Sequence, residues 1–517
     1  MTSFAPDRRF GTSNKFGTSS KFGVSGTAEA LAWLFEVDWN GDGVFDGTNE
    51  AGYLRTINID RGRKKYLRPK GQGLETFQTG RGTFTLDNSS GRFDAWNTGS
   101  ALYPNVGVGK DVRVTVRDMS GSVTPYNVYY GVISDIVPSG YGADAIVTIY
   151  VEDGWAFLRN YTARVSIQSN ITPDAAIGKV LDYVNWPSRW GRSLDASSDT
   201  IRYWWASNSK LAGSEIEDIA LSFLANFFID ASGAARLIVR SNTVSSGINF
   251  LQEILLKDIS NPQPWEIQRN TTRIKVHPRA LSAVGATLYQ LVGNTPLIAD
   301  GATNALELFC NYTYNNIPAP ASVIIAPVST TDWTTNTAAD GSGTDKTALC
   351  TVTATSLGDT AIVTVTNNSG GNVYLTKLVI RGTAVYEQNS AAIVYPATAP
   401  AQPREFVLDL LWQQDVNVAR DFSTVIGQYL NNLHPTPSVK VTQRPIYQYG
   451  IELMDIVTTS LTKLGISGVS FRVGGIEHSG TPQDMTTRFY LEPYISSLDF
   501  WVWDTASVFD TTTVFGW

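Results

Sequence analysis

The stretch WLFEVDWNGDGVFDGTNEAGYLRTINIDRGR (residues 33–63), with ETFQTGRGTFTLDNSSGRFDAWNTGSALYPNVGVGKDVRVTVRD (75–118), decides the fold. Apolar and polar residues alternate in it. In VRVTVRD, Val112, Val114 and Val116 share one face, the period of a half-buried strand. Clusters of Gly, Asn and Asp interrupt the alternation about every ten residues, the spacing of an antiparallel barrel or sandwich. The pattern continues through YNVYYGVISDIVP (126–138) and AIVTIYVED (145–153) and predicts a first β-barrel over 29–160.

Downstream the period changes. TPDAAIGKVLDYVNW repeats Ala176, Val180, Leu181 and Val184 at helical spacing behind Thr172 and Pro173. GSEIEDIALSFLANFFID predicts a second helix, capped by Ser214, with Ile216, Ile219, Ala220, Phe223 and Leu224 inward; DASGAARLIVRS then reads as a hairpin. Residues 161–260 are therefore an α+β domain and 261–281 a linker leading into a strand. Residues 282–400 are rich in Thr, Ala and Asn and predict an inserted β-sandwich. Residues 401–495 hold a helix from Asp415 to Leu433 followed by strands.

Both ends carry an aromatic hexad. RFGTSN, KFGTSS and KFGVSG place Phe10, Phe16 and Phe22 on one face of an extended segment within an N-terminal arm, 1–28. At the other end, 496–517, Trp503, Phe509 and Phe515 repeat the spacing before Trp517. Both segments are too short to fold alone and predict arms that dock on neighbouring subunits.

The 517 residues suggest roughly three to four domains. Charged residues make up only 17%, below the usual quarter, which favours a β-rich chain that covers its surface with partners. A net charge of −7 argues against a dedicated nucleic-acid binder. Cys310 and Cys350 are too few for a disulfide framework and read as buried small hydrophobes. No apolar run reaches membrane-spanning length and no secretory-type apolar core opens the chain, so assembly in a cytosol is expected.

In order, the segments 33–160, 171–240 and 405–493 resemble the central tail hub family of long-tailed bacteriophages. The motifs that carry the resemblance are DWNGDGVF (38–45), the exit VEDGWAFLRN (151–160), FIDASGAARLIVR (228–240), GIELMDIV (450–457), GIEH (475–478) and LEP (491–493). One departure is Met454, where the family's turn commonly has Gly before the Asp. The resemblance implies a mainly β, multidomain fold. It would contain two tail-tube-like β-barrels (29–160 and 401–495), a smaller α+β domain and the inserted sandwich. It also implies a homotrimer forming a pseudo-sixfold ring in the virion's tail tip or baseplate. Such a ring adapts a sixfold tube to a threefold tip and gates the channel for genome ejection. The implied partners are a distal tail protein or tube ring, the tape-measure protein, and fibre, spike or adhesin proteins. DNA would pass without specific binding, and no stable membrane insertion is implied. A peripheral adhesin that binds host surface glycan is the alternative. It rests on the aromatic content and on Trp333 and Tyr374.

Candidate chemistry is sparse. Asp38, Asn40, Asp42, Gly43 and Asp46 match the early positions of a calcium loop, but the twelfth position is Asn49 and the glutamate is displaced to Glu50. A bare hairpin turn is preferred to a bound calcium, and no cofactor is expected. Arg55, Arg61, Arg63, Lys64, Lys65, Arg68, Lys70 and Arg81 face only Asp60 and Glu75 in sequence. This cluster is read as a basic loop that pairs with an acidic ring of the tail. NVGVGKD (105–111) lacks the first Gly and the Ser/Thr of a phosphate loop. Glu215, Glu217 and Asp218 suit a helix start. His277, His434 and His478 lack ligand spacing, and no nucleophile or metalloprotease motif is visible. No enzyme activity is expected, including that of a wall hydrolase.

Overall fold

The computed structural model describes residues 31–45, 49–63, 76–118, 124–207, 210–240, 242, 244–251, 259–261, 268–396, 398, 400–431 and 434–494. The two aromatic arms, Asp46 and the basic residues Lys64, Lys65, Arg68 and Lys70 lie outside them.

The chain is mainly β and multidomain. Its first unit is a half-barrel of six antiparallel strands: β1 (Leu31–Val37), β2 (Leu54–Gly62), β3 (Arg81–Asp87), β4 (Asp111–Asp118), β5 (Tyr126–Ser139) and β6 (Ile146–Glu152). They run in the order β1-β4-β5-β6-β3-β2. The alternation read from the sequence sets which side faces in. Phe35, Phe84, Val112, Val114, Val116, Val147 and Ile149 are fully buried. Register shifts at Val114/Thr115 and Ile133/Asp135 bend the strands into an arc. Residues 88–110 fold back irregularly over one end, where Phe93 packs on Trp39 and Tyr53.

Among the described residues the arc does not close on itself. Strand β2 pairs on its far side with Ile466–Gly480, so the sheet continues into a second half made of Ile466–Gly480, Met485–Pro493, Ser438–Thr442 and Ile456–Leu461. The edge of this second half is Ser245–Leu251, parallel to Ile456–Leu461. The expected boundaries change accordingly. Ser245–Leu251, read as part of the α+β domain, belongs to the second half. The helix Val416–Asn431, read as part of the second barrel, packs elsewhere. Eleven of the described strands thus form one continuous sheet that joins the two barrel-like units. Tyr449 and Met485 from the C-terminal half plug the core of the first.

The α+β unit has three helices: α1 (Gly154–Leu158), α2 (Pro173–Tyr183) and α3 (Ala212–Ser222). Asp153 caps α1 by accepting from the Trp155 amide at 3.0 Å. Thr172 and Pro173 start α2 as read. Helix α3 is capped by Leu211, not Ser214, which sits inside its first turn. Beyond the hairpin Asn226–Ile229/Ala235–Ile238 lies a three-stranded sheet of Thr271–Val276, Ala391–Tyr395 and Glu405–Leu410. The helix α4 (Val416–Asn431) lays Ala419, Phe422, Ile426 and Leu430 on it, an i, i+3, i+7, i+11 stripe.

The sandwich is spliced into the hairpin between Thr271–Val276 and Ala391–Tyr395. It enters and leaves through a second short ladder, Arg279–Leu281 against Val385–Glu387. Its core lies between the sheet around Val373–Glu387 and the sheet Leu306–Asn311, Cys350–Leu357 and Thr360–Asn367. Cys310 and Cys350 are buried there as free thiols.

Candidate assembly interface

The joint between the two half-barrels concentrates the unusual chemistry. Ile57 to Gly62 pair with Gly480 to Gly475. Gly62, at φ +149, leaves no room for a side chain: a Cβ there would lie 2.6 Å from the Gly475 Cα. Two strands can approach this closely here only because residue 62 is glycine. Arg61 and Arg63 leave the same strand on the buried side. Arg61 pairs with Glu452 at 2.7 Å, and Glu452 also accepts from the Ala231 amide at 2.8 Å. Arg63 pairs with Glu492 at 3.2 Å, stacks over Phe77 and hydrogen-bonds Asn226. Both guanidiniums are nearly inaccessible.

This corrects the reading of Arg61 and Arg63 as part of a loop for an acidic neighbouring ring. Their partners lie about 390 and 430 positions away in the same chain, and the pairs weld the halves together. A buried cation needs a paired carboxylate, because desolvation otherwise costs several kcal/mol.

On the other face of the joint, Asp60 sits directly opposite Glu477 in the strand register. Burial, with Glu477 as a second cause, pushes the Asp60 carboxyl up to about 6. Tyr490 donates to Glu477 at 3.1 Å. The wholly buried Asp153 is raised to about 7 by desolvation, against the hydrogen bonds it accepts from Gly80 and Trp155. His478 is held down to about 3 by burial; it bonds Thr487 and stacks on Tyr449.

The 38–50 loop is a side-chain-built turn in its described part. Asp38 spends both carboxylate oxygens on the amides of Gly41 and Gly43, each at 2.8 Å. Asp42 accepts from the Val44 amide, and Asn40 donates to Asp42. Glu50 is buried and held by Arg92 in a two-pronged pair at 2.6 and 3.0 Å, so it does not point into the loop. Asn49 bonds both the amide of Phe35 and the carbonyl of Trp33, covering the outer edge of β1.

A second joint, at the neck of the sandwich, had no sequence signal. The Arg279 guanidinium lies against both Trp205 (4.7 Å) and Trp412 (4.3 Å), whose rings meet edge to face, and burial holds it down to about 10. His277 bridges Glu387 and Asp409. The adhesin candidate Trp333 is core, buried in the sandwich, and Tyr374 is half-buried. Glu215 is buried and bonded to Trp204 and Lys210, while Lys210 also pairs with Asp218. Among the described residues no helix is long and apolar enough to cross a membrane.

No protein-family model matches the chain, and no curated protein matches it in sequence. Solved structures do resemble it. A 43 kDa tail protein of prophage MuSo2 from Shewanella oneidensis aligns over 90% of this chain and 98% of its own length, with a TM-score of 0.49 and 10% identity. A tail protein from Neisseria meningitidis MC58 aligns over 89% and 96%, with a TM-score of 0.47 and 10% identity. The prophage tail protein gp18 from Listeria monocytogenes EGD-e aligns over 84% and 87%, with a TM-score of 0.37 and 8% identity.

Proposed function

We propose that this chain is a structural protein of a phage tail, the central hub of its tip or baseplate, rather than an enzyme. The observation that supports this most is the fused arc. Two half-barrels share one continuous sheet, joined by a glycine contact and buried ion pairs. One chain therefore presents two barrel-like units as a single body. Three such chains would offer six units around a channel, the count needed to sit on a sixfold tube while keeping a threefold tip. Among the described residues the sheet ends at β1, whose edge Asn49 partly covers, and at Ser245–Leu251 instead of closing, and the Ser245–Leu251 edge is the surface left for neighbouring copies. In this role the chain meets a distal tail or tube ring on one side and tape-measure, fibre or spike proteins on the other. DNA passes through the channel without specific contacts, and assembly takes place in the host cytoplasm.

The test is cryo-EM of the purified protein and of the particle. The expected result is three copies whose two half-barrels line one channel. A monomer in solution, or a peripheral spike with no channel in the particle, would overturn the reading. A glycan array on the intact protein addresses the adhesin alternative, which loses a surface aromatic now that Trp333 is in the core.

A further inference from the structure

The first half-barrel carries a surface groove of about 560 Å³. Phe93 and Val106 form its buried floor, and Trp96, Val108 and Ile136 its sides. Trp96 is 93% exposed, the highest value of any large hydrophobic residue described. An indole held in water beside an apolar floor is a poor use of a large ring in a monomer. Asp94 and Asp135 stand among the lining residues, and no Lys or Arg does. The groove is thus apolar, open and acidic at its rim.

We infer that this groove binds the cation–Phe–Gly repeat of the chain's own N-terminal segment, residues 8–23. Arg9-Phe10-Gly11, Lys15-Phe16-Gly17 and Lys21-Phe22-Gly23 each set a positive charge beside a ring and a residue that lets the backbone come close. Residues 8–23 carry four cations and no carboxylate. The other aromatic segment, 496–517, carries Asp499, Asp504 and Asp510 with no Lys or Arg, so the same rim repels it. Charge chooses between two otherwise similar hexads.

Reach agrees. The amide of Asp38, just past β1, bonds Asp111, close in sequence to Val106 and Val108. The groove lies beyond this end of β1, because its lining residues Asp135 to Pro138 follow Val132, the register partner of Asp111; it is thus more than one strand length, roughly 23 Å, from Leu31. Residues 17–30 span up to about 46 Å when extended, enough to bring Phe16 to it. The inference stands apart from the tail reading, because a single chain provides both parts.

The experiment uses a labelled peptide of residues 8–23 and protein lacking residues 1–24, read by fluorescence anisotropy. Saturable binding is expected, weakening about tenfold in Trp96→Ala and in the Asp94→Asn/Asp135→Asn pair, and weakening with added salt. Asp94→Asn retains an oxygen for its bond from Asn88, and Trp96 faces water, so these variants should keep their melting temperature. In parallel, hydroxyl-radical footprinting should oxidise Trp96 several-fold more slowly in the full chain than in the truncated one. Equal oxidation in the two forms, binding insensitive to these variants, or equal binding of a peptide of residues 496–517 would each overturn the assignment.

Discussion

The two internal joints of this chain solve the same problem differently. The joint between the half-barrels is a six-pair strand ladder whose closest point is glycine against glycine, backed by guanidiniums with buried partners. The neck of the sandwich is a three-pair ladder steadied by side chains: Arg279 against two indoles, and His277 between two half-exposed carboxylates. The first is fixed by backbone contact and tolerates no added atom. The second is fixed by interchangeable side-chain contacts. The hub role proposed above would require the half-barrels to move as one body, whereas an inserted domain only has to remain attached.

The largest effect should come from Gly62→Ala. The added methyl meets backbone, not a movable side chain, at a φ that L-residues rarely adopt. A loss of more than about 3 kcal/mol is expected, seen as a large fall in the thermal midpoint or as insoluble protein. Gly178→Ala is the control. It lies inside α2 with its nearest neighbour 3.9 Å away, and should be neutral or gain a few tenths of a kcal/mol. If Gly62→Ala behaved like Gly178→Ala, the joint would not be a backbone contact.

Next comes Arg61→Ala. It strips the cation from Glu452, whose own side chain retains about a fifth of its exposure and two backbone donors. Those partners soften the penalty, so about 2–3 kcal/mol in urea unfolding is expected, below the full cost of orphaning a buried charge. Arg279→Lys should cost less, about 1–2 kcal/mol. An ammonium keeps the charge but loses the broad guanidinium contact with Trp205 and Trp412. Limited proteolysis should then cut first at the neck while the sandwich core stays resistant. Equal costs at both joints would erase the distinction between them.

How much of this was legible follows the length of the contacts. Val112, Val114 and Val116 announced their strand because alternation is local, and Thr172-Pro173 announced α2 for the same reason. Arg61 and Arg63 misled because a run of cations looks like a loop. Their meaning depends on Glu452 and Glu492, which only the folded chain brings near. A signal was present in the glycines of RGR (61–63) and VGG (473–475), since glycine inside a strand pattern points to close backbone approach. Ser245–Leu251 went to the wrong domain because its partner is a parallel strand about two hundred residues on, a pairing that leaves no mark on local periodicity. Ser214 lost the cap because the backbone was already helical at Ala212 and Gly213.

The smallest effect probes the joint through pH. Asp60 faces Glu477 across the ladder, with the Arg81 cation acting against that repulsion and Arg488 near Glu477. Its folded pKa, about 6, lies above the ordinary value of 3.8, so the folded chain holds a proton there that the unfolded chain has released. Stability should therefore fall as pH rises through the window from about 4 to about 6, and recover on acidification. Asp60→Asn keeps the shape and removes the charge. It should raise stability at pH 7 by about 1 kcal/mol, allowing for partial solvent screening, and coincide with the parent at pH 4. The slope should shrink without vanishing, because Asp153 and Asp455 are raised in the same direction by burial. Urea unfolding at pH 4, 5.5 and 7 reads all three points. A variant that is less stable than the parent at pH 7 would mean that the Asp60 carboxylate is a favoured partner of Arg81 rather than an uneasy neighbour of Glu477. The polar face of the joint would then be held by attraction on both sides, and only the glycines would set its limit.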